Sequence, residues 1–382
     1  MPRFRRLPFL FLAAAILPGP AGRSDAAPPP PVPVSFSSAP AAFAIVAVDS
    51  VRREWGIAAV SRWIAVGARS LDGRAEVGAW CALDLPDPRE AARGLDLLGR
   101  GVPATAVVES VLTGDPRREE RQFSLVDRSG AVAAFTGTRC PRWSGERVGK
   151  GYVCQGMGLR DVTPLVAMGG AFQSGGGSLA DRLLAAVEAA EAVFPVREEV
   201  ESAAILVVRE GGGLNGWSDR LVDLRVDLDQ DAVQELKKIY AAHAATFLPA
   251  AFARFGDDAK RRGDTISAER EYARAESGFR AAIALRPKDP DARNELAWFL
   301  ATHDRELPDA VGEARTAVSL RPRDPILYDT LAEAEYRSGS LNRAIDAMER
   351  AVKYSGGEAR YADRLSRWIR ERAALEGKAV KP

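Results

Sequence analysis

Histidine is nearly absent from this chain of 382 residues, and the two present, His243 and His303, both lie in its C-terminal, helix-patterned part. No segment before residue 243 can supply an imidazole as base or metal ligand, which excludes a Ser-His-Asp or Cys-His site confined to the first half. Cysteine is almost as scarce. Cys81, Cys140 and Cys154 form no CxxC pair and have no histidine near them in sequence, too few ligands for a structural zinc site. Surplus charge is lacking too: Lys and Arg total 53 against 52 Asp and Glu, so nothing drives phosphate-backbone binding and no nucleic-acid partner is expected. Only eight of the basic residues are lysine, a compositional bias that makes runs of Ala or Arg weak signals.

Long apolar runs are also missing. The one at residues 7–17 falls short of the ~18 residues that a bilayer-spanning helix needs. It follows the basic Arg3, Arg5 and Arg6 and precedes small residues ending at Ser24-Asp25-Ala26, the order of a secretory signal over residues 1–27. Cleavage and export to the periplasm or beyond are expected, with no stable membrane span afterwards, and no cysteine follows the run to carry a lipid anchor. Residues 28–41, rich in Pro, Ser and Ala, form a tether with little to bury. In an oxidising compartment three cysteines allow one disulfide and one leftover thiol. Cys140 with Cys154, bracketing a Gly-rich connection, and three free thiols both stand as alternatives.

The chain beyond the tether is long enough for two domains at ~100–200 residues each. Over 42–247, apolar β-branched runs at 43–48 and 55–60 read as an opening hairpin, with further strands at 75–83, 122–126, 131–135, 203–208 and 221–226. Helical periodicity marks 88–98, 103–112, 162–172, 179–192 and 232–246. Hairpins with helices inserted in pairs predict a layered α+β domain with antiparallel strands.

Three motifs there are deceptive. Gly211 to Gly216 satisfies GxGxxG, but a strand comes next where a dinucleotide site needs a helix, so the run reads as a hairpin loop. Asp227, Asp229 and Asp231 resemble the start of a calcium loop, yet its sixth and twelfth positions are Ala232 and Lys238, so capping of the next helix by Asp229 or Asp231 is the better reading. Asp223, Arg225 and Asp227 alternate with Val222, Leu224 and Val226, as a strand with one solvated face would. No cofactor or metal is expected.

Several segments resemble, in order, the bacterial family known as domain of unknown function 1028. They are Phe43-Ala44-Ile45-Val46-Ala47-Val48-Asp49, Gly56 to Arg62, Ala65-Val66-Gly67, Thr136-Gly137 with Cys140 and Trp143, Gln155-Gly156, and Asp219 to Asp227. The resemblance covers most of 42–247. It implies an N-terminal-nucleophile (Ntn) hydrolase-like four-layer αββα sandwich, and it nominates Ser61, Arg62, Gln155, Asp219 and Arg220 as a candidate ligand pocket.

An Ntn hydrolase needs a Thr, Ser or Cys at the processed start of its first strand, its own amine serving as base. The resembled family usually has Thr-Phe-Ser there; this chain has Ala42-Phe43-Ala44, and Met157 replaces the Asn of the usual Gln-Gly-Asn. A degenerate hydrolase that binds without cutting is the expected reading. The alternative, an exported Ntn-type amidohydrolase, requires Ser35, Ser37 or Ser38 as nucleophile after unusual processing.

Over 249–375 the pattern is helical and self-similar. Arg280 to Pro290 is echoed 35 residues later by Arg315 to Pro325, and again at Arg350-Ala351-Val352, the period of tetratricopeptide repeats (TPRs). Tyr328, Leu331, Ala332, Gly339, Ala344, Met348 and Ala351 fall at the repeat's aromatic, large, small and turn positions, and the middle repeat carries one extra residue near its turn. Residues 365–374 supply a capping helix, with Trp368 covering the last repeat. An all-α solenoid with a concave groove for a protein or peptide partner is expected, and equally repeats that only pack on the first domain or self-associate. His303 reads as a lone surface histidine.

Overall fold

The computed structural model describes residues 41–194 and 201–379. The expected secretory signal and the expected tether before Ala41 lie outside them. The first hairpin is β1 (Ala42–Asp49) and β2 (Glu54–Ser61). A short α1 (Val66–Ser70), β3 (Leu71–Arg74) and β4 (Gly78–Asp84) come next, then α2 (Pro88–Gly99) and α3 (Ala104–Leu112). After these stand β5 (Gln122–Asp127), β6 (Val132–Thr136), β7 (Gly145–Gly149) and β8 (Tyr152–Met157), succeeded by α4 (Thr163–Ser174) and α5 (Leu179–Val193). A late hairpin of β9 (Glu201–Val208) and β10 (Arg220–Asp229) leads into α6 (Ala232–Thr246).

The strands make two antiparallel sheets, β10-β9-β2-β1-β8-β7 and β3-β4-β5-β6. Side chains alternate across a strand, so β1 sends Ala42, Ala44 and Val46 into the core between the sheets and Phe43 and Ile45 to the opposite face. That outer face is covered by Leu165 and Met168 of α4 and Leu183 and Val187 of α5. On the second sheet, Trp80 and Phe123 stack with ring centroids 4.5 Å apart and pack under Leu95 and Val107 of α2 and α3. Gly94 makes this possible, because a Cβ there would lie 2.6 Å from the Trp80 ring. The result is a four-layer αββα sandwich.

Strand β4 starts three residues later than the pattern suggests, and α1, β3, β7 and β8 have no counterpart in the sequence pattern. All three cysteines are free. Cys154 faces the helix-covered core, whereas the Cys140 thiol bonds the Arg121 carbonyl at 3.3 Å, so the pairing of these two is not made. The Gly-rich run 211–216 does sit in the β9–β10 hairpin. Asp231 precedes α6 without a side-chain cap; instead its amide donates to Asp229 Oδ1 at 2.8 Å.

Seven helices complete the chain: α7 (Leu248–Arg261), α8 (Thr265–Leu285), α9 (Pro290–Thr302), α10 (Leu307–Leu320), α11 (Pro325–Arg337), α12 (Leu341–Tyr354) and α13 (Ala359–Ala379). The echoed Asp-Pro pairs explain two of the starts. Asp289 and Asp324 accept from the amides of Asp291 and Ile326, and the prolines occupy the first helical turn, where no amide is needed. Gly263, Asp304 and Gly339 mark equivalent left-handed turns, and the middle one is lengthened by Glu306. Trp368 of α13 stacks on Tyr336 with centroids 4.8 Å apart. No helix among the described residues is long and apolar enough to cross a membrane.

The first repeat is fused to the sandwich, and the described residues belong to one compact unit. Phe252 and Phe255 of α7 join the same apolar core as α4, α5 and β1. Beside them lies a buried quartet of charges. Glu54 accepts from Arg274 at 3.0 Å and Arg209 at 3.4 Å, and Glu271 from both at 3.1 Å. Arg209 lies 3.6 Å over Phe255 and Arg274 3.8 Å over Phe252, so each guanidinium has an aromatic face as well as two carboxylates.

Candidate functional site

One candidate site is the end of the sandwich where β1 begins. Ala42 pairs with Ser61 on one side and Met157 on the other, and its methyl is buried between the sheets. Ser61 Oγ accepts from the Trp63 amide at 3.0 Å, while the Arg62 amide donates to the Ala41 carbonyl at 3.0 Å. Gln155, opposite Ala44 and fully buried, donates from Nε2 to the Phe123 and Phe135 carbonyls of the other sheet, both at 3.0 Å. Its amide ties the sheets together.

Next to it, Gln122 Nε2 donates to the Gly156 carbonyl at 2.9 Å, and Thr136 Oγ1 donates to Glu146 at 2.5 Å. A polar pocket of about 500 Å³ opens here, lined by Thr136, Thr138, Cys140, Trp143, Ser144 and Glu146. Segments separated by some 20 residues thus converge: Thr136-Gly137, Cys140 and Trp143 form the pocket, and Gln155-Gly156 supports it from the neighbouring strand.

Neither cysteine at this end is poised as a nucleophile. Burial, reinforced by Asp84, pushes the Cys140 thiol up to about 12, and burial holds Cys154 at about 12 as well. Both remain thiols at neutral pH, and the thiolate is the reactive species. Among the described residues no group of three or more His, Cys, Asp or Glu could hold a metal.

Asp219 and Arg220 are elsewhere. Arg220 pairs with Val208, which pairs with Trp55, placing it at the opposite end of the strands from Ser61. Asp219 Oδ1 accepts from the Gly211 amide at 3.0 Å and shapes the hairpin loop, and Arg220 forms an ion pair with Asp223. The five nominated residues therefore do not make one pocket. Asp223, Arg225 and Asp227 do form the solvated face of β10.

On the helix-facing side of the Ser61 end, Glu201 is buried against Glu191. Burial first, then the Glu191 carboxylate, push its pKa up to about 8. A carboxyl raised above its unfolded value adds stability that is full at acid pH and is lost as pH rises through the folded value. Glu201→Gln should accordingly flatten the fall in stability between pH 5 and pH 9, and urea melts across that range would show the mutant gaining on the wild type as pH rises.

The second candidate site is the groove of the repeats. His303 is partly buried and has partners: its ring is packed against Phe299 and Tyr272, Nδ1 lies 2.7 Å from the Phe299 carbonyl and Nε2 3.1 Å from Asp257 Oδ1. It fixes the carboxylate of α7 against α9. Beside it stands Trp298, 39% exposed, with Glu295 one turn away. Neither stands out in the sequence, although both fall outside the repeat's core positions Leu296, Ala297 and Leu300, which leaves them for the groove.

No curated protein matches the chain. Among solved structures, a Silicibacter pomeroyi protein of family DUF1028 is 28% identical, the match covering 53% of this chain and 89% of that one with a TM-score of 0.49. A thermophilic TPR protein of Thermus thermophilus is 17% identical over 36% of this chain and 72% of its own, with a TM-score of 0.31. The TPR domain of Sgt2 from Aspergillus fumigatus is 20% identical over 33% and 85%, with a TM-score of 0.28. The family of unknown function DUF1028 matches residues 42–236. By that match the chain belongs to the DUF1028 family, and a TPR-like helical region comes after its family domain.

Proposed function

We propose that this is an exported, noncatalytic binding protein: an Ntn-hydrolase-like sandwich that has lost its nucleophile carries a TPR groove that receives a segment of another protein. The observation that carries this reading is Ala42. At the head of β1, where such an enzyme places its hydroxyl or thiol, a methyl group fills the core between the sheets. Met157 beside it is equally inert, and the Gln155 Nε2 is committed to the opposite sheet. The 500 Å³ pocket with its Thr, Ser and Glu side chains is suited to a small polar ligand held without turnover.

The test is direct. The protein purified from the periplasm or medium is treated with amide- and ester-based acylating probes, and its mature N-terminus is read by mass spectrometry. No acyl-enzyme should form, and the N-terminus should fall before the Pro-rich tether. Stoichiometric labelling at Ser35, Ser37 or Ser38 would instead establish the amidohydrolase, and recovery of the intact Met1 form from the cytoplasm would remove export.

A further inference from the structure

Where the repeat groove meets the sandwich, it holds two adjoining depressions. One, of about 360 Å³, is lined by Asp257 of α7 and by Glu295, Trp298 and Thr302 of α9. The other, of about 340 Å³, lies beneath the Gly-rich hairpin and is walled by Leu214, Leu221, Phe247 and Ala251. Thr246, Ala250 and Arg254 belong to both. Leu214 and Phe247 are exposed at the rim.

The charges of the groove are mostly satisfied within it. Arg364 pairs with Asp329 and Glu333, and Arg337 with Asp304 and Glu333. The first depression differs. Among the described residues Glu295 has no ion-pair or hydrogen-bond partner, and Asp257, half exposed, uses only Oδ1 for Tyr272 and His303. Burial raises the Glu295 carboxyl, the neighbouring Asp289 and Asp291 raise it further, and Arg286 only partly opposes them. One cation lines the same wall, Arg254, and its guanidinium is engaged by the Gly211 and Gly213 carbonyls at 2.5 and 3.2 Å. Two under-used carboxylates and an exposed indole face are what an ammonium or guanidinium group binds.

We propose that this depression receives a lysine or arginine side chain of the partner segment, and that an apolar side chain close to it in the partner's sequence fills the depression under the hairpin. The inference rests on the groove reading above and narrows it to a basic, apolar partner. The carboxylates set the sign, Trp298 supplies the face, and Leu214 with Phe247 supplies the apolar contact.

The experiment uses the full mature chain and three fluorescein-labelled octapeptide pools that share their apolar positions and differ at one site, Lys, Gln or Glu. Fluorescence anisotropy should show the Lys pool binding about tenfold more tightly than the Gln pool. Glu295→Gln should abolish that advantage, and Trp298→Ala should weaken the Lys pool most. Circular dichroism of each variant establishes that it is folded. A preference for the Gln or Glu pool, or a Lys preference that survives Glu295→Gln, overturns the basic-partner proposal while the groove reading stands. If no pool binds the wild type, the groove reading itself fails.

Discussion

Replacing Glu54 with alanine should destabilise the protein by about 3–5 kcal/mol, the usual result of leaving buried charge uncompensated. Glu54 is 1% exposed and stands between Arg209 and Arg274; without it, two guanidiniums share the single carboxylate of Glu271. Their faces still lie on Phe255 and Phe252, so neither can leave for water without disrupting the joint between sandwich and repeats. Urea denaturation would report the loss. The single change should also lower cooperativity, the repeats melting before the sandwich. Exchanging all four charges for apolar residues of similar volume should recover most of the stability, because a buried ionic cluster is often worth no more than well-packed hydrocarbon. A Glu54→Ala protein as stable as the parent would mean that the quartet is open to water and does not join the two parts.

Trp368→Ala should release the last helix at a cost of about 3–5 kcal/mol to that end of the array. The indole is buried among Tyr328, Ala332, Met348 and Tyr361 and stacks on Tyr336. In a linear array each element leans only on its neighbours, so the loss should stay local. Limited proteolysis would show early cleavage within α13, and hydrogen exchange would show fast amides there and in α12, with β1, β2 and β9 unchanged. The ion pair of Arg364 with Asp329, at 2.6 Å, would remain and should not suffice, since partly exposed pairs contribute little beside an aromatic core.

How far these features were legible in the sequence depended on whether their signal was local. The repeats announced themselves because Asp-Pro starts, small residues and Gly turns recur with one period, each fixed by contacts within two helices. The opening hairpin was legible because β1 and β2 are buried on both faces and so read as continuous apolar runs. Strands β7 and β8 were hidden: Gly145, Gly149 and Gly151 punctuate them like a loop, and only the pairing of β8 with β1 and of β7 with β8 gives them regular structure.

The grouping of Ser61 with Asp219 and Arg220 failed for a directional reason. Strands β2 and β10 both flank β9 and run the same way, so the last residue of one and the first of the other lie at opposite ends of the strands. Motif order along a chain does not carry that information. Nor could spacing pair Glu54 with Arg274, which meet across 220 positions. The groove carboxylates were overlooked because a single Glu on a helix resembles any solvated face until His303, Trp298 and Asp257 close round it.

The charge quartet also limits how this protein can change over generations. Its members come from β2, from the residue after β9 and from α8, so a substitution at Glu54 or Arg209 must be answered in a segment far away in the sequence. Every single loss passes through a state with unmatched buried charge. The same logic governs shuffling. A repeat array transplanted from another protein would seat on this sandwich only if it brought counterparts of Glu271 and Arg274, and a foreign sandwich would accept these repeats only if it brought counterparts of Glu54 and Arg209.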